Sequence, residues 1–90
     1  MRNEVSFDNE ISATATVVDV HAADGVGVLY RITEVLARHG LDIRSAKVQT
    51  MGAQVVDAFY VRDATGAKLV DEDELAAIRH DVLAALLSSQ

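Results

Sequence analysis

The sequence predicts an α+β fold in which a four-stranded antiparallel sheet carries two helices on one face. Three observations predict it. β-Branched runs and helical stripes follow one another in the order strand, strand, helix, strand, strand, helix. Glycine or turn chemistry separates them, and 90 residues at 50% hydrophobic suffice for one such two-layer unit. The order is that of a ferredoxin-like sandwich. That fold ordinarily closes with a fourth strand beside the first. Here the last pattern is helical, so the N-terminal strand is expected to fold back as a hairpin and take the place of the usual last strand. A single domain over residues 1–90 accounts for the whole chain, with the hairpin strand at about 5–7 and the core at about 14–87.

Val5-Ser6-Phe7 is the first strand, and Asp8-Asn9-Glu10 supplies turn chemistry before Ile11. Residues 14–21 form the second strand. The polar connection between the two is short, which predicts an antiparallel hairpin. Residues 26–39 form the first helix: Val28, Leu29, Ile32, Val35 and Leu36 fall on one stripe, Arg31, Glu34 and Arg38 face water, and Gly40 stops the helix. Residues 41–51 read as a strand whose alternation slips. Leu41 and Ile43 share one face, Ala46 and Val48 lie on the other parity, and a bulge near Arg44-Ser45 reconciles them.

Gly52 turns the chain into residues 54–61, where Val55, Asp57, Phe59 and Val61 alternate with Val56, Ala58 and Tyr60. Apolar groups on both faces of this strand imply helices on one side and a partner on the other. Asp57, in a strand expected to be central, needs a hydrogen-bond donor if its carboxylate is buried. Asp63-Ala64-Thr65-Gly66 is a turn, and Lys68-Leu69-Val70 leads into the last helix, residues 72–87. Asp71 and Glu74 have the spacing of a capping box, and Leu75, Ile78, Val82, Leu83 and Leu86 supply the buried stripe.

Composition narrows the function. The net charge of -6 is the wrong sign for wrapping a polyanion, so no nucleic acid is expected as partner. With no cysteine, thiol nucleophiles, thiolate metal sites and disulfides are excluded. Without an apolar run of about 18 residues or a secretion signal, no membrane partner is expected, and the reading is a cytoplasmic domain. His21, His39 and His80 are spaced as exposed residues rather than as a metal cluster, and the Asp71-Glu72-Asp73-Glu74 run is helix-opening charge. Neither a nucleophile elbow nor a Walker lysine is present. The expectation is a non-enzymatic domain with no catalytic residue, metal or cofactor.

The stretch with the most chemical promise is the strand-to-helix junction Asp24-Gly25-Val26-Gly27-Val28-Leu29. Two glycines allow tight geometry and close approach of a ligand, and a helix start offers unpaired amides suited to a carboxylate. In the plainer alternative Asp24 caps the helix and the glycines only make the turn. In the binding alternative, two copies enclose a small zwitterion between the 24–29 loop of one and the 42–45 edge of the other. The Val28 and Leu29 amides take its carboxylate, and Asp24 or Asp42 takes its ammonium.

Asp24-Gly25-Val26-Gly27-Val28-Leu29, Gly40-Leu41-Asp42-Ile43 and Val56-Asp57-Ala58-Phe59-Tyr60-Val61 together resemble an ACT domain, the small ligand-sensing module of amino-acid metabolism. Phe7-Asp8-Asn9-Glu10-Ile11-Ser12 and Ser45-Ala46-Lys47-Val48-Gln49-Thr50 are similar to the C-terminal ACT domains of bifunctional uridylyltransferase and uridylyl-removing enzymes that modify the PII signal protein. The resemblance implies a regulatory module that binds a small amino acid, glutamine first, pairs with a second copy or another ACT domain, and serves the catalytic domains of a parent chain. It places ligand contacts on Asp24, Gly27, Leu29, Asp42 and Ile43. Val26 stands where many such loops have proline, and Asp24 and Asp42 stand where serine-sensing relatives have asparagine. The rival function is a ligand-free pairing module.

Overall fold

In the computed structural model, residues 3–23, 27–52 and 54–88 are described. The elements are β1 (Glu4–Asp8), β2 (Thr16–Ala23), α1 (Val28–Arg38), β3 (Asp42–Met51), β4 (Gln54–Arg62) and α2 (Glu72–Ser88). The sheet order is β1-β2-β4-β3 and every neighbouring pair is antiparallel. This is the expected α+β sandwich, and β1 occupies the edge beside β2. Strand β3 is the opposite edge.

Local chemistry sets the boundaries. Strand β2 starts at Thr16 rather than residue 14, because the Ser12 hydroxyl accepts from the amides of Thr14 and Ala15 and draws them into a turn. The Asp8 carboxylate accepts from the amides of Glu10 and Ile11 in the same way, confirming the turn after β1. Helix α1 starts at Val28, not at residue 26. Gly27 stands at its N-cap with φ 81°, a left-handed conformation that an α-helix cannot contain. Its other end closes as expected on Gly40, at φ 76°: the Gly40 amide donates to the Ala37 carbonyl and the Leu41 amide to Leu36. Leu36 and Leu41 are both in the core, which completes the hydrophobic half of that stop.

The slip in β3 is real. Ile43 pairs with Val61 and Ser45 with Tyr60, so Arg44 is the extra residue of a bulge. Beyond it Ala46 and Val48 share the helix-side face with Phe59 and Asp57, although Val48 is 55% exposed because the helices do not reach that far over the edge. The core joins Val18, Val20, Phe59 and Val61 of the sheet to Ile32, Val35 and Leu36 of α1 and Ile78, Val82 and Leu86 of α2.

A polar clamp fixes the connection into α2. Buried Thr16 donates to the Asn9 side-chain oxygen and accepts from the Leu69 amide at 2.8 Å. The Asn9 amide group donates to the Leu69 carbonyl, and the Lys68 ammonium to the Asn9 carbonyl. Residues 68–70 therefore dock against the β1–β2 hairpin as irregular chain, with Leu69 in the core. The Asp71 carboxylate caps α2 through the amide of Asp73, its second residue, where the capping-box spacing pointed to Glu74, its third.

Candidate functional site

The junction between β2 and α1 lies at the end of the sheet where Ala22 faces Val55. Of the candidate residues, Asp24, Gly25 and Val26 lie outside the described residues. The first intrahelical bond of α1 runs from the Arg31 amide to the Gly27 carbonyl. This leaves the amides of Val28 and Leu29 in the unpaired first turn, and among the described residues neither has an acceptor. A Cβ built on Gly27 meets no atom within 4 Å.

Val28 is buried and anchors the helix start, but Leu29 is 44% exposed, against its expected place on the buried stripe. It lies about 100° around the helix from Val28, at the margin of the stripe, in the first turn where less of the fold covers it. Its neighbour Tyr30 is 68% exposed. An aromatic residue off the stripe was the available signal. Asp57, on β4, is 2% exposed and faces the helix side between Val20 and Val48, one row from the Ala22–Val55 end where α1 begins.

Asp42 and Ile43 are elsewhere. Ile43 pairs with Val61 and Ala22 with Val55, positions six residues apart on β4, so within one chain the two halves of the candidate site are separated by about 20 Å. Ile43 is half-buried against the core, and Asp42 is exposed on the β3 edge. Its carboxylate is held by Arg44 at 3.1 Å and by Arg62 at 3.8 Å. One chain does not bring the residues together; a site with both halves needs two.

The histidine expectation needs correcting. The His39 imidazole is half-buried and meets the Asp81 carboxylate at 2.8 Å, and His80 reaches its other oxygen at 3.3 Å. The two hydrogen bonds hold the Asp81 carboxyl below its ordinary value. Helix packing, not sequence spacing, makes this contact. A groove of about 350 Å³ beside it, walled by Arg31, Glu34, Arg38, Ala84 and Ala85, contains none of the candidate ligand residues. Among the described residues no three metal-ligating side chains converge, and no described helix is long and apolar enough to cross a membrane.

A four-stranded antiparallel sheet roofed by two helices, with a glycine-led helix start at the end of one inner strand, defines a small α+β module of the ferredoxin-like class. The chain belongs to the ACT domain family: the profile described as the ACR family N-terminal ACT domain matches residues 11–89. The chain is similar to the bifunctional uridylyltransferase/uridylyl-removing enzymes of Azospirillum brasilense, 44% identical over 82 residues, and Rhodospirillum rubrum, 43% over 82 residues. It is also similar to that of Gluconobacter oxydans, 41% over 85 residues. These matches cover 91%, 91% and 94% of this chain and about 9% of each relative. The chain thus spans a small fraction of the length of the curated relatives it matches.

Proposed function

We propose that this domain is an amino-acid sensor, with glutamine as its leading ligand, acting as the C-terminal regulatory module of a uridylyltransferase/uridylyl-removing parent in nitrogen regulation. The observation that carries the reading is the start of α1. Gly27 at φ 81° turns the chain into α1, and the Val28 and Leu29 amides lie in its unpaired first turn at the positive end of the helix. A carboxylate suits that position. The 24–29 loop of one domain and the Asp42, Ile43 edge of a second would enclose the amino acid, with Asp24 or Asp42 facing its ammonium. Ligand then regulates by binding one domain arrangement better than another, for which 1–3 kcal/mol of coupling is about the usual scale.

Calorimetric titration with glutamine tests this on the wild-type chain and on Gly27→Val. A branched residue at φ 81° is strained, and its side chain adds bulk next to the Val28 amide. The expected result is saturable binding to the wild type and at least a tenfold loss in the variant, with its circular dichroism retained. Equal affinity in the two removes the loop from the site. One observation favours a ligand-free pairing module instead: the Asp42 carboxylate already has two arginine partners. That reading predicts no heat of binding with any amino acid.

A further inference from the structure

Among the described residues, Asp57 is the one charged side chain in the buried interior, and neither the clamp around Thr16 nor the contact between His39 and Asp81 uses it. Taking a carboxylate out of water is costly, which sets Asp57 apart from the valines on either side. It stands on β4 between Val20 and Val48 and faces the helices. The sheet order puts β4 between β2 and β3, so the crossover through α1 passes on the helix side of it. Helix α1 begins at the Ala22–Val55 end, and Asp57 lies one row further in, about 7 Å along the strand. Its carboxylate therefore belongs to the layer covered by the first turns of α1, where Val28 and Ile32 also pack. Val48 beside it is 55% exposed, so this charge lies close under the surface rather than deep in the core.

The positive end of a helix attracts any anion, and by itself it favours the more negative of two ligands. Glutamine and glutamate share one shape and differ only in a side-chain amide against a carboxylate, so a pocket separates them by charge and hydrogen bonding rather than by size. Left to the α1 amides alone, the site takes glutamate at least as readily. Taking the domain as the amino-acid sensor described above, we propose that Asp57 is its specificity-determining residue. The buried negative charge under the start of α1 turns away ligands with an acidic side chain and admits the neutral amide. Like charges about 7 to 10 Å apart, at an effective dielectric of about 20, disfavour each other by roughly fifteen- to fiftyfold in binding. Exposed Asp42 contributes less, because water and salt screen it and two arginines already hold it. Burial spares Asp57 that screening.

Calorimetric titration of the wild type and of Asp57→Asn with glutamine and with glutamate tests this. The wild type is expected to bind glutamine at least tenfold more tightly than glutamate. The variant, whose amide keeps the shape but not the charge, should narrow that ratio at least tenfold by gaining glutamate affinity. A role confined to the fold would instead weaken both ligands by one factor. Circular dichroism checks that the variant folds. If it does not, the wild type alone still decides: a preference set by a buried charge persists from about 20 mM to about 500 mM salt, whereas one set by exposed carboxylates shrinks as they are screened. A preference that survives Asp57→Asn, one that collapses with salt, or an equal loss of both ligands overturns the role of Asp57 and leaves the sensor standing. So does a wild type that binds the two alike or prefers glutamate. A wild type that binds neither overturns the sensor as well.

Discussion

His39 and Asp81 stand 42 positions apart in sequence, yet their side chains meet at 2.8 Å and tie the end of α1 to α2. The Asp81 carboxyl is held low by its bonds to His39 and then His80, so its contribution to stability is present above its ordinary value and lost as pH falls through the depressed one. Asp81→Asn should lower the urea midpoint slightly at pH 7, and the gap to wild type should close as pH falls below about 4. Denaturation curves at pH 7 and pH 3 check it; a constant gap would detach the effect from this carboxylate. Such pairs were not legible in the sequence, because they depend on how two helices meet. Gly40 was legible as a helix stop, but Gly27 was not legible as the N-cap, because the apolar pattern alone puts the helix start at residue 26. Leu29 misled, because a stripe drawn on an isolated helix does not record where its cover stops.

At the scale of elements, the clamp around Thr16 holds the 68–70 segment against the β1–β2 hairpin. Thr16→Val keeps the shape of the side chain but removes the acceptor of the Leu69 amide and the donor to Asn9. The expected cost is about 1–3 kcal/mol, read as a lower midpoint in urea, with little change in secondary structure. The kinds and order of the elements could be read from period and turn chemistry alone, and so could the bulge at Arg44. The first residue of β2 could not, because Ser12 competes for the backbone amides with the sheet ladder.

For the whole molecule, the decisive geometry is that the α1 start and the Asp42 edge occupy opposite ends of the sheet, about 20 Å apart. If both take part in one site, ligand binding depends on assembly. Glutamine titrations at two protein concentrations a hundredfold apart should give weaker apparent affinity in the dilute sample, whereas a site complete in one chain gives the same value in both. The sequence suggested both halves of this site because each has its own local signature, but nothing local states the distance between them. The extra residue in β3 shows how much one position controls. Side chains along a strand point alternately up and down, so pairing Arg44 with Tyr60 in an unbroken ladder would invert everything after it, turning Lys47 to the helix side and Val48 to the opposite face, whereas the bulge absorbs the extra residue and keeps Ser45 opposite Tyr60. At that spot the count of residues matters as much as their chemistry.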